Sequence, residues 1–281
     1  MFAQKECRKC HQKYDKMEQV CPFCDTPDEN SKQNLYTNNS TYLPFIKQIV
    51  LFLLGSIGFT LIGLVIELIT KAMASGSYVT PESLEAFMNS VKASAIINFT
   101  TYLILFILIV SVLWGDSVKL VKKFKSWLVP VSAIVGFLAI IAFNLIYQNI
   151  LLSVGINIVD NANENIVTSI VKQYPLISLI VFGIIGPICE EVTYRVGLYS
   201  FFKRINVYLA FVITVVVFAF IHFDYQTTNL TNEFLNMPYY LFAAFVFTFI
   251  YERFGFAASV SAHVTNNLIS VLSTIIVMSV Q

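Results

Sequence analysis

Charge is scarce in this 281-residue chain: Asp, Glu, Lys and Arg together make up 12% of it. A soluble domain carries about a quarter charged residues, so a water-facing globular fold is excluded. The charges nearly cancel, at a net +1, which removes the electrostatic footprint of nucleic-acid binding, and no nucleic acid is expected as a partner. Residues 1–40 hold no apolar h-region, so no cleavable signal peptide is expected. No internal repeat or low-complexity tract is visible, and the lack of inverted repeats counts against a proton-coupled transporter. Histidine is rare too: the chain has three, two of them in apolar runs.

What is abundant is hydrocarbon. Hydrophobic residues make up 57% of the chain and its mean hydropathy is +0.71. Apolar runs of spanning length recur at 43–66, 95–113, 127–151, 175–199, 206–223, 237–251 and 257–279. They predict an all-α multi-span membrane protein of about seven transmembrane helices, or eight if one run is broken or re-entrant. The first run, with Gly55, Ser56 and Gly58, is expected to pack closely against a neighbour. Basic residues cluster before the first run (Lys5, Arg8, Lys9, Lys13, Lys16, Lys32, Lys47), after the second (Lys119, Lys122, Lys123, Lys125) and after the fourth (Lys203, Arg204). The intervening connections carry Glu82, Glu85, Asp160, Glu164, Asp224 and Glu233. This alternation predicts a multi-pass protein of the cell membrane, in contact with lipid, with a cytoplasmic N-terminus and an extracytoplasmic C-terminus.

Four of the five cysteines fall in the first 24 residues, as Cys7-Arg8-Lys9-Cys10 and Cys21-Pro22-Phe23-Cys24. Two such thiolate turns facing each other complete a tetrahedral zinc site. The alternative is two disulfides, which a cytoplasmic location disfavours. His11 stands beside the set, but four cysteines leave it unnecessary. The expected organisation is a small zinc ribbon over 1–27, a polar linker over 28–42 and a membrane domain over 43–281. The zinc would be structural, because so short a segment has little core. A protein partner for the ribbon is a further expectation. Cys189, alone among apolar residues, reads as packing.

Carboxylates at membrane depth cost several kcal/mol and are rare unless something uses them. Glu190 and Glu191 lie in the run 175–199. Residues four apart share a helix face, so Glu191 is expected to pair with Arg195, and Glu190, rotated by about 100°, faces a cavity. Phe218 and His222, and His263 and Asn267, share the same four-residue spacing. These groups suit water-mediated attack on a carbonyl: Glu190 and His222 hold and deprotonate water, while His263 and Asn267 stabilise the oxyanion. A catalytic zinc held by Glu190, His222 and His263 is the other reading. One inconsistency attends both. At about 1.5 Å per residue from the cytoplasmic ends, Glu190 and His263 lie roughly 9–14 Å deep and His222 about 24 Å deep. They meet only if a span starts later or a helix is broken, for which Gly186-Pro187 is the candidate.

The three motifs, Glu190-Glu191-x-x-x-Arg195, Phe218-x-x-x-His222 and His263-x-x-x-Asn267, resemble in order those of the CPBP intramembrane proteases, the Abi or CAAX-protease-like family. The resemblance covers about 170–280. It implies an endopeptidase cleaving membrane-associated peptides or proteins: Glu190 and His222 would activate water, Glu191 and Arg195 would support the site, and His263 with Asn267 would form the oxyanion hole. Asn267 is a poor zinc ligand but a good donor, which favours a metal-free mechanism over a metalloprotease. It further implies a bacterial chain, with bacteriocin or pheromone precursors or leader peptides as substrates rather than prenylated proteins. The alternative is a catalytically silent membrane scaffold or bacteriocin-immunity protein acting through partner binding.

Overall fold

The sequence folds almost entirely into helices, because runs of apolar residues in a hydrocarbon solvent must satisfy every backbone group internally. A computed structural model describes residues 4–15, 21, 43–78, 80–117, 120, 122–225 and 227–280. Cys24 and the 28–42 linker lie outside the described residues. At the N-terminus, β1 (Gln4–Glu6) and β2 (Lys13–Asp15) pair antiparallel, with Lys5 opposite Tyr14.

The membrane domain follows as α1 (Phe45–Ser75), α2 (Pro81–Met88), α3 (Val91–Val112), α4 (Leu128–Ser153) and α5 (Ala162–Gln173), then α6 (Pro175–Lys203), α7 (Val207–Phe220), α8 (Leu230–Phe254) and α9 (Phe256–Val280). Six of these, α1, α3, α4, α6, α8 and α9, are long and apolar enough to cross a membrane. The fifth apolar run, 206–223, forms only the 14-residue α7. At 1.5 Å per residue that helix reaches about 21 Å, short of a ~30 Å hydrocarbon core. Asn206 starts it by accepting hydrogen bonds from the amides of Tyr208 and Leu209. Two short helices were not among the expected spans: α2, opened by a Thr80/Ser83 capping box, and the amphipathic α5, capped by Asn161. The run 237–251 proves to be the inner part of α8, and a positive φ of 86° at Gly255 allows the tight turn into α9.

Burial runs inside out, as a lipid solvent requires. Leu61, Leu64, Leu68 and Met73 of α1 are exposed apolar residues, whereas Glu191, Arg195, Tyr199 and Tyr251 are fully buried. The centre of the bundle is α6, packed against α1, α3, α7 and α9 and hydrogen-bonded to α8 through Arg195 and Tyr199. Two stretches of α6, Val181–Ile185 and Val192–Tyr199, are π-helical. Glycine sets the close approach of α1 to the second of them. A Cβ on Gly55 would fall 1.7 Å from Thr193 Oγ1, and one on Gly197 would fall 2.9 Å from the Phe52 amide.

Candidate active site

A π-turn carries more residues for its height than an α-turn, so the π-helical stretches Val181–Ile185 and Val192–Tyr199 re-aim the side chains of α6. The lower rise through Val192–Tyr199 sets Glu190 shallower than the α-helical count put it and does not close the gap to His222, and α6 runs on through Gly186-Pro187 without the expected break. The short α7 then ends inside the bundle and delivers His222 at its C-terminal end.

Glu191 is the anchor of the site. It is completely buried, and Arg195, one turn along, brings Nη1 to 3.0 Å from Oε1. The same Oε1 accepts from Nδ1 of His263 at 2.9 Å, and Oε2 accepts from the Ser259 hydroxyl. Both Glu191 oxygens are thus committed to α6 and α9. Arg195 lies with Cζ 4.5 Å from the centre of the Phe218 ring and donates from Nη2 to the Ala244 carbonyl at 3.4 Å. The aromatic face and the carboxylate compensate this buried cation, whose Nε and Nη1 make no hydrogen bond among the described residues.

Glu190 is held differently. Its side chain is 17% exposed, and Oε2 stands 3.7 Å from Nε2 of His263. Its Oε1 accepts a long 3.4 Å hydrogen bond from the Tyr102 hydroxyl of α3. Of the two glutamates, Glu191 has both oxygens engaged and Glu190 retains acceptor capacity.

The two histidines are oriented by opposite means. Nδ1 of His222 donates to the Phe218 carbonyl at 2.9 Å, which leaves Nε2 with its lone pair. The His222 ring stacks on Tyr240 of α8, centroids 4.6 Å apart and planes 17° from parallel. His263 commits Nδ1 to Glu191, so Nε2 faces Glu190, and its ring stacks on Phe247 at 4.3 Å. Phe218 bridges the pair, 5.0 Å from the His222 ring and 5.9 Å from the His263 ring. Among the described residues no hydrogen bond or ion pair joins His222 to Glu190. Asn267, one turn beyond His263, donates from Nδ2 to the Phe182 carbonyl at 3.3 Å and accepts from Asn266 at 3.3 Å.

The structure thus gathers Glu190, Glu191, Arg195 and His263 into one contact network, with His222 facing it across Phe218 and Asn267 on the adjoining turn. Sequence reasoning missed Tyr102, Ser259, Tyr240 and Phe247. Their contacts with the motif residues are tertiary, and no local spacing announces them.

A metal can be tested against two donor sets. In the ribbon, ligand atoms of Cys7, Cys10 and Cys21 lie within 4.8 Å of one another, Cys10 and Cys21 Sγ being 3.5 Å apart. Zn–S bonds of about 2.3 Å place tetrahedral sulfurs roughly 3.8 Å apart, so this set fits zinc. No disulfide joins these three residues. By contrast, the ligand atoms of Glu190, His222 and His263 do not come together within 4.8 Å; among the described residues only the ribbon cysteines do so.

Residues 172–269 match the family model described as type II CAAX prenyl endopeptidase Rce1-like. The likeness covers this stretch alone. It runs from the end of α5 into α9 and contains all six motif residues, so the site lies wholly inside the matched segment. Tyr102 of α3 lies outside the Rce1-like segment, yet it reaches Glu190. No curated protein and no solved structure matches the chain.

Proposed function

We propose that the protein is an intramembrane endopeptidase in which Glu190 and His222 activate water against a peptide carbonyl. The observation that carries this reading is the division between adjacent carboxylates: Glu191 has both oxygens engaged, while Glu190 keeps acceptor capacity beside two oriented imidazoles. A water between Glu190 and Nε2 of His222 would donate to both. Glu190 takes one proton as hydroxide adds to the carbonyl, and later returns it to the leaving amine. His263 and Asn267 supply N–H groups to the developing oxyanion. Because His263 spends Nδ1–H on Glu191, its Nε2 can donate only from the imidazolium. Two carboxylates, Arg195 and imidazolium then sum to zero charge, which suits a low-dielectric site. The spread of Glu190, His222 and His263 offers no support for a catalytic metal.

The ribbon thiolates are assigned a structural zinc. Cys7, Cys10 and Cys21 would hold it with Cys24 as fourth ligand, and the Lys9 amide, 3.4 Å from Cys7 Sγ, would support the charged sulfur. Zinc bound there supplies folding free energy to a segment with little core. Peptides or proteins of the membrane are the proposed substrates. Comparing the membrane proteome of cells producing wild-type protein with that of cells producing Glu190→Ala tests the reading. Cleavage products should appear only with wild type; identical peptide profiles would leave the protease reading without support. A scaffold acting through its ribbon would instead lose its phenotype on Cys7→Ser and keep it on Glu190→Gln.

A further inference from the structure

Beyond the motif residues, a buried polar cluster forms where α5, the loop after α7 and the start of α8 meet. Its centre is Asn161, only 2% exposed. The Asn161 Nδ2 group donates to the His222 carbonyl at 3.2 Å. Its Oδ1 accepts from the Tyr240 hydroxyl at 3.2 Å. One side chain therefore holds both the backbone of His222 and the ring stacked on its imidazole. The Oδ1 atom also accepts from the Glu164 amide at 2.9 Å, which ties the arrangement to the first turn of α5. Glu233, itself buried, locks the cluster from α8: it accepts from Asn161 Nδ2 at 3.5 Å, the Ala162 amide at 3.2 Å and the Asp224 amide at 3.1 Å.

We infer that Asn161 is a positioning residue for His222, acting through Tyr240 and the His222 carbonyl from outside the Rce1-like segment. Only the consequence for catalysis rests on the proposed role of His222; the positioning itself is a property of the fold. His222 stands beyond the last turn of α7, where its amide bonds only to the Ala219 carbonyl at 3.2 Å and helix ends fray. Holding Nε2 toward Glu190 therefore needs a clamp. The Phe218 carbonyl fixes which nitrogen carries the proton, and the Tyr240 face fixes the ring plane. Asn161 makes the His222 backbone and the Tyr240 face depend on α5, so a movement of that helix would be transmitted to the imidazole.

Asn161→Ser separates this role from helix capping. Serine is a good N-cap, so α5 keeps its start, but its hydroxyl is too short to reach His222 and Tyr240 together. Histidine-selective 15N NMR of the full chain in detergent micelles reads the outcome directly, since only His11, His222 and His263 contribute. With signals assigned through His222→Gln, wild type should show His222 locked as the Nδ1–H tautomer. In Asn161→Ser that signal should move toward a tautomer average while His263 stays unchanged. Tyr240→Phe, which keeps the stack and loses the hydroxyl, should give a smaller shift. Unchanged His222 signals in Asn161→Ser would overturn the inference, and so would equal movement of His222 and His263, which would indicate general loosening. The protease reading fails by a different result, full cleavage by Glu190→Ala, which leaves the NMR outcome standing.

Discussion

Replacing Arg195 by leucine should separate stability from chemistry. Arg195 and Glu191 are both fully buried and 3.0 Å apart, so Arg195→Leu leaves a carboxylate in the centre of α6 without its cation. Removing one member of a buried pair costs about 3–5 kcal/mol. His263 and Ser259 still donate to Glu191, which favours the lower half of that range. At roughly 2–4 °C per kcal/mol, melting should fall by about 6–16 °C. The double variant Glu191→Leu/Arg195→Leu removes both charges and replaces them with apolar volume. It should recover to within about 1–2 kcal/mol of wild type, because an apolar pair of similar size is often as stable as the ion pair. Yet it should remain inactive, since His263 has lost its acceptor. The assay is thermal unfolding of purified protein in detergent, followed by circular dichroism, beside peptide cleavage by the same samples. A single variant melting within about 2 °C of wild type would refute the reasoning, as would a double variant no more stable than the single.

Other expectations follow from particular contacts. Tyr102→Phe removes a 3.4 Å hydrogen bond to Glu190 and should lower kcat about two- to tenfold with melting unchanged, measured as initial rates of peptide cleavage. Gly55→Ala puts a methyl group into Thr193 across the α1–α6 contact; overpacking of this kind costs about 1–3 kcal/mol, and Gly55→Ala/Thr193→Ser should not restore what the serine hydroxyl still obstructs. Burial and the neighbouring Asp160 raise the Glu164 carboxyl above its ordinary value. The charged form is therefore the one disfavoured on folding: the stability Glu164 contributes is complete below the unfolded carboxylate value and is lost as pH rises through the folded one. Glu164→Gln should flatten that part of the melting-versus-pH curve. Cys7→Ser should abolish stoichiometric zinc in purified protein, read by elemental analysis, and leave melting of the membrane domain unaltered.

The local parts of the site were legible because helical spacing is local. Glu191 and Arg195 are four apart, and that spacing alone indicated which glutamate would be paired. The apolar runs likewise marked the long helices, since each must fill the same hydrocarbon thickness. What escaped the sequence was tertiary or depended on backbone detail. The Glu191–His263 contact joins residues 72 apart and Tyr102–Glu190 residues 88 apart, and neither leaves a periodic trace. The π-helical turns of α6 change rise and side-chain direction without changing hydropathy, so the apolar runs carry no trace of them. Glu191 also proved to be more than the partner of Arg195. By holding His263 as well, it links the first motif to the third, and the expected division between a structural and a reactive glutamate becomes a division between a saturated carboxylate and one with acceptor capacity left.

Cleavage of membrane peptides by purified protein in proteoliposomes tests the central claim most directly, comparing wild type, Glu190→Gln and His222→Ala at matched folding. The account predicts turnover by wild type and a loss of at least about 10²-fold in both variants, with melting curves that overlay. Equal turnover by all three would contradict it.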